Sequence, residues 1–214
     1  MDTRAYNRFD RLVNEIDKGL RTSFGPPPKA ERPNPANEKQ QNELPERERE
    51  MAGRFMRINH AGEICAQGLY QGQALTARLP KVRKKMEAAA QEENDHIAWT
   101  ADRIRELGNH TSYLNPFWYA GSFALGALAG LAGDKWSLGF VAETEKQVVE
   151  HLSGHLDRLS EQDEKSRAIL EQMRIDEGKH ATTAITAGAA SFPRPIQRLM
   201  KFTSKIFTST TYWV

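Results

Sequence analysis

Two phrases constrain this chain more than anything else in it. Glu92-Glu93-Asn94-Asp95-His96 and Asp176-Glu177-Gly178-Lys179-His180 each place a Glu and a His three positions apart. Three residues along an α-helix bring two side chains to one face, so each pair can grip one cation from one side. Each phrase also follows a lone Glu at nearly the same distance. Glu63 lies 30 residues before Glu93 (93 − 63), and Glu145 lies 32 before Glu177 (177 − 145). A Glu…Glu-x-x-His unit therefore occurs twice, at a matching period that suits a helix, a turn and a second helix.

One Glu from each of two helices, with Glu-x-x-His from each of the other two, is the ligand set of ferritin-like di-iron and di-manganese bundles. The expected fold is all-α: a ferritin-like four-helix bundle built from two helical hairpins, with extra amphipathic membrane-interface helices. The candidate metal ligands are Glu63, Glu93, His96, Glu145, Glu177 and His180. Four carboxylates and two imidazoles suit Fe or Mn better than structural Zn, which prefers four ligands with Cys or His. Without metal, four carboxylates converging in a core would repel one another and be costly to bury; two divalent cations remove both difficulties. Glu63 and Glu145 would each complete one ion's shell, Glu93 and Glu177 would bridge, and each His would bind one ion. A ligating imidazole usually donates its second N–H to a carboxylate, a carbonyl or water. Glu92 and Asp176, directly before each ligand Glu, are the candidate partners, acting across the bundle. His151 and His155 fall off the central stripe; His151 is either an outer neighbour of the site or a surface or interhelix hydrogen-bonding residue. No catalytic residue is expected beyond the metal ligands.

The rest of the chain falls around these helices. Residues 4–23 carry an amphipathic pattern, Tyr6, Phe9, Leu12, Val13, Ile16 and Leu20, that predicts a helix. Pro26, Pro27, Pro28, Pro33 and Pro35 then predict a linker over 25–44. The four long helices are expected over 45–79, 81–107, 135–159 and 163–190. Their inward stripes include Met56, Glu63 and Tyr70; Met86, Glu93, His96 and Ile104; Leu138, Glu145 and Leu152; and Leu170, Met173, Glu177, His180, Ala184 and Ile185. Between the hairpins, residues 115–133 carry no charge. As a helix they would reach roughly 29 Å, barely a membrane span. A single crossing would put Glu63 and Glu93 on one side of a bilayer and Glu145 and Glu177 on the other, so this segment should dip into the membrane, lie at its interface, or pack on the bundle. After Ala181 there is no acidic residue, and Arg194, Arg198, Lys201 and Lys205 alternate with Leu199, Phe202 and Ile206. A basic amphipathic helix of that kind reads as a membrane-surface element. The expected divisions are 1–45 (N-terminal helix and linker), 46–190 (metal bundle, with segment 115–133) and 191–214 (basic tail).

A net charge of +2 gives no case for nucleic-acid binding. The single cysteine, Cys65, cannot form an internal disulfide and fits a reducing compartment; it reads as a small core residue. The first residues lack the apolar run of a secretory leader, and their Asp residues argue against a transit peptide, so the chain is expected to be complete and bacterial.

The stretch Arg57-Ile58-Asn59-His60-Ala61-Gly62-Glu63, continuing through Tyr70-Gln71-Gly72-Gln73, resembles the demethoxyubiquinone hydroxylases of ubiquinone biosynthesis. Both Glu-x-x-His phrases and the Phe117–Gly133 segment, with Phe123-Ala124-Leu125-Gly126-Ala127, are similar to that family, over about residues 50–190. The resemblance implies an O2-dependent di-iron monooxygenase, carrying two Fe ions on the six ligands above. It would hydroxylate the ring of a polyprenyl methoxy-methyl-benzoquinol, demethoxyubiquinol. The family also implies peripheral association with the cytoplasmic face of the bacterial inner membrane, and it leaves room for other ubiquinone-biosynthesis proteins as partners. Two other readings fit the ligand pattern alone: a ferritin-like ferroxidase, iron store or peroxidase, and a non-enzymatic membrane-bound helical scaffold.

Overall fold

The computed structural model describes residues 8–40 and 43–214, with the backbone only at Arg8, Phe9, Arg11 and Leu12. Tyr6 of the N-terminal stripe and positions 41–42 of the expected linker lie outside the described residues, as do the side chains of Phe9 and Leu12. Seven helices and no strand occur among the described residues: α1 (Arg8–Phe24), α2 (Glu46–Thr76), α3 (Pro80–Glu106), α4 (Asn115–Ala132), α5 (Asp134–Leu156), α6 (Glu164–Thr186) and α7 (Arg194–Thr211).

Punctuation by proline and glycine explains most boundaries. Pro80 opens α3 where an unpaired N–H costs nothing, and Pro116 and Pro195 do the same in α4 and α7. Gly133, at φ +119°, makes the corner between α4 and α5. Asp163 caps α6 by accepting from the Ser166 N–H at 3.0 Å. The observed helices end three or four residues short of the expected C-termini in α2, α5 and α6, where the last turns give way to turns and bends.

α2 packs along α3, α5 packs along α6, and the two hairpins face each other to form a ferritin-like bundle. Two apolar clusters fill its ends. One holds Phe55, Met56, Trp99, Leu152, Ile169 and Met173, and the other holds Tyr70, Val82, Met86, Leu138, Val141 and Ala184. The acidic residues of the stripes fall between them. One expected inward residue is corrected: Ile185 is 49% exposed. It lies eight residues beyond Glu177, about 80° around the helix, and so rotates out of the stripe that Ala184 still occupies.

The uncharged segment becomes α4 and lies against α2. Its inward face is Tyr119, Gly126 and Gly130, and the facing residues of α2 are Gly68, Gly72 and Thr76. A Cβ on Gly72 would run into the Phe123 carbonyl, and one on Gly126 into the Leu69 carbonyl. Glycine on both helices is therefore what allows this close approach, and the Thr76 hydroxyl donates to the Ala127 carbonyl across it at 3.1 Å. The opposite face of α4 exposes Phe117, Leu125, Leu128 and Leu131. No helix among the described residues is long and apolar enough to cross a membrane.

Candidate metal centre

Helical spacing places Glu63, Glu93, Glu145 and Glu177 at the middle of α2, α3, α5 and α6, all between 0% and 4% exposed. One ligand atom each from Glu63, Glu93, His96 and Glu177 lies within 4.8 Å of the others. The remaining two expected residues adjoin this group. His180 Nδ1 sits 3.3 Å from Glu93 Oε1 and 3.2 Å from Glu177 Oε2. Glu145 accepts the Tyr70 hydroxyl at 2.6 Å.

Both imidazoles present the same nitrogen to the cluster. His96 Nδ1 lies 3.0 Å from Glu93, 3.1 Å from Glu177 and 3.5 Å from Glu63. The outer nitrogens reach the carboxylates that precede the Glu-x-x-His of the opposite hairpin. His96 Nε2 is 3.2 Å from Asp176, and His180 Nε2 is 2.8 Å from Glu92. With a carboxylate on each Nε2, Nδ1 is the nitrogen left to take a cation.

The electrostatics describe a site short of positive charge. Burial, reinforced by Glu93 and Glu177, holds the Glu63 and Glu145 carboxyls well above the ordinary Glu range. Burial would lower both imidazoles, but hydrogen bonds to the surrounding carboxylates overcome it; His96 is raised well above its usual value and His180 to about 12. Glu93 Oε1 and Glu177 Oε1, both fully buried, accept no hydrogen bond. Buried carboxylate oxygens without a partner, gathered beside two imidazole nitrogens, are a donor set that fits divalent cations: the cluster can hold a metal. Burial lifts the Tyr70 hydroxyl well above its usual range, so it remains a donor to Glu145.

A cavity of about 390 Å³ reaches the cluster from one side. Glu63, Glu145 and Glu177 form its floor, while Glu93 and both imidazoles lie behind them. Its walls are mostly apolar, with Leu69, Leu125, Phe140 and Val148 among them, and its rim lies between α4 and α7. A larger hollow of about 1010 Å³ separates α1 from α2 and α3, but it reaches none of the six expected ligands. His151 stands on the wall of the smaller cavity, its Nε2 without a hydrogen-bond partner, and burial pushes it down to about 4. His155 is buried in the core, stacked on Phe55 at 4.2 Å and 3.1 Å from Asn59 Oδ1. Cys65 also lines the cavity, and burial raises its thiol to about 12, which suits an inert wall residue.

Sequence reasoning missed two contributors. Tyr70 is legible as a stripe residue two turns beyond Glu63, but nothing local announces its bond to Glu145. Arg32, in the proline-rich segment, donates to Asp95 at 2.5 Å and to Asp176 at 2.7 Å. No local pattern could have found it.

Residues 50–211 match the family model described as Ubiquinone biosynthesis protein COQ7. The chain is 58% identical to the 3-demethoxyubiquinol 3-hydroxylase of Nitrosococcus oceani over 214 residues, the whole of both chains. It is 54% identical to that of Nitrosomonas eutropha (96% of this chain, 98% of the relative) and 53% identical to that of Nitrosomonas europaea (96% and 99%). With a buried Glu/His cluster at the centre of an all-helical bundle, the chain belongs to the COQ7 family of ubiquinone-biosynthesis proteins.

Proposed function

We propose that this chain hydroxylates the ring of a polyprenyl demethoxyubiquinol with O2, on two iron ions held by Glu63, Glu93, His96, Glu145, Glu177 and His180. One oxygen atom enters a ring C–H bond, and the other leaves as water with two electrons and two protons from a donor. Iron, when bound, supplies the activation of O2. The relatives named 3-demethoxyubiquinol 3-hydroxylase support the substrate, and the donor set supports iron.

The observation that carries the reading is the cavity that ends on three of the carboxylates. Its apolar walls suit a prenylated ring and keep bulk water from the reacting carbon. Tyr70 orients Glu145 on the cavity floor, and Asp176 and Glu92 hold the imidazoles at the rear. The cavity rim lies between two helices with exposed apolar faces: Phe117, Leu125, Leu128 and Leu131 on α4, and Leu199, Phe202 and Ile206 on α7. Such a rim suits a tail that partitions into lipid, with the bundle resting on the cytoplasmic face of a bacterial inner membrane.

Quinone profiling of a deletion strain tests the reaction. The demethoxy precursor should accumulate, and the wild-type gene should clear it while an E177A variant should not. A normal quinone profile in the deletion strain would sink the proposal.

A further inference from the structure

Residues 25–40 have no regular structure, yet they lie on the bundle. Pro35 sits in a turn that the Asn37 N–H closes onto the Asn34 carbonyl at 3.0 Å, the Asn34 side chain accepts from the Ala36 N–H at 2.9 Å, and Ala36 enters the core beside Phe55 and Trp99. This anchorage delivers Arg32 to the outer side of His96. The guanidinium spans two carboxylates, Nε on Asp95 at 2.5 Å and Nη1 on Asp176 at 2.7 Å, and lies 4.9 Å over the Trp99 ring. Backbone N–H groups of Glu31 and Arg32 also donate to Asp95, at 2.7 and 3.4 Å.

The Asp176 oxygen that receives Arg32 is the one that meets His96 Nε2. Gln172 and Lys179 hold the same carboxylate at 3.1 and 3.0 Å. Asp176 is therefore fixed from several directions, and the His96 ring is fixed through it. The counterpart in the other half differs. Glu92 holds His180 with a side chain 54% exposed, and no Lys or Arg pairs with it among the described residues.

Resting on the metal reading above, we infer that Arg32 is a positioning residue that locks Asp176 and, through it, His96, so that the two metal half-sites are unequal. The half-site of His96 is pre-organised and binds first; the half-site of His180 is looser and fills second. A planar guanidinium can bridge two carboxylates at fixed angles, which a lysine ammonium cannot. Loss of an outer partner of a metal-bound His typically weakens metal binding on the order of 10–100-fold.

The test is an anaerobic titration of the chelator-treated full-length protein with Co(II), followed by its visible absorption and by chelator competition. Wild type should bind two Co(II) in two resolved steps. R32A should weaken the first step on the order of 10–100-fold and leave the second in place; E92A should weaken the second alone. R32K should restore only part of the first step. Wild-type protein that binds no Co(II) would overturn the metal centre itself. Two Co(II) bound by wild type, with an R32A titration superimposable on it or with both steps weakened equally, would overturn this inference alone. Should R32A fail to fold, hydrogen exchange on wild type decides. The Glu31 and Arg32 amides should exchange at least tenfold more slowly with Co(II) than without it, and unchanged rates would overturn the coupling.

Discussion

Gly62 and Gly72 are both helical glycines of α2, and the structure expects opposite results from them. A Cβ built on Gly62 meets nothing within 4 Å and would point into the cavity beside Glu63. Glycine within a helix costs about 0.5–1 kcal/mol relative to alanine. G62A should therefore raise stability by about that amount, or roughly 1–4 °C in Tm for a chain of this size. At Gly72 the same methyl would strike the Phe123 carbonyl, a backbone atom that cannot rotate away. Forcing α2 and α4 apart should cost about 1–3 kcal/mol, a fall of roughly 2–12 °C. Function should separate the two in the other direction. G62L fills space that a substrate ring needs and should lower kcat/KM by about tenfold or more with metal content intact, because small displacements of a reacting group are costly. Thermal melts and steady-state turnover of G62A, G62L and G72A measure all of this. A destabilised G62A would show that the space beside Gly62 is not open, and a fully active G62L would show that the cavity is not where the substrate sits.

Three further outcomes follow from the same geometry. Asp163 and Arg103 form a pair 1% exposed on each side, at 2.7 Å, tying the end of α3 to the start of α6. D163A should cost about 3 kcal/mol, near the low end for a broken buried pair because Arg103 keeps Ser166 and Glu106, and a denaturant melt should show D163N losing less since asparagine still caps α6. Glu63, Glu145, His96 and His180 all have raised values in the metal-free site, so loading it should release protons, measurable by calorimetry in buffers of different ionisation enthalpy. Metal affinity should then rise with pH. The metal-free protein should show the reverse trend in stability: its raised groups stabilise it below their unfolded values, near 4.5 for Glu and 6.5 for His, and that contribution is lost as pH rises through the folded ones. Finally, L199D/F202D on α7 should abolish flotation with anionic liposomes if this face meets lipid, whereas wild type confined to the aqueous fraction would count against it.

The hairpins and their acidic stripes were legible because helical periodicity is a local property. Glu63 and Tyr70 share a face whatever surrounds them, and so do Glu93 and His96. The fate of α4 was only half legible. Its lack of charge left three placements open, and its seat on the bundle depends on a match between glycines more than 50 residues apart, Gly72 with the Phe123 carbonyl and Gly126 with the Leu69 carbonyl. Ile185 was misplaced because a stripe drifts with each turn and one residue of error is 100° of rotation. Arg32 was illegible in principle. Its partners stand 63 and 144 residues away, and a run of prolines conceals an anchored strap as readily as a free linker.

The two Glu…Glu-x-x-His units are near repeats, yet the structure around them is not symmetric, and two of the departures come from chain outside the repeat. The strap of residues 25–40 covers the His96 side and closes it with a cation. α4, inserted between the hairpins, and α7, appended after them, leave a cavity that opens onto Glu63, Glu145 and Glu177. The imidazoles thus sit at the rear, fixed by outer carboxylates, while the carboxylates line the approach. A carboxylate can shift between one and two contacts with an ion more readily than a hydrogen-bonded imidazole can turn. On that argument the substrate side is the adaptable side, and the added segments, more than the repeated ligands, set this bundle apart from a symmetric iron store.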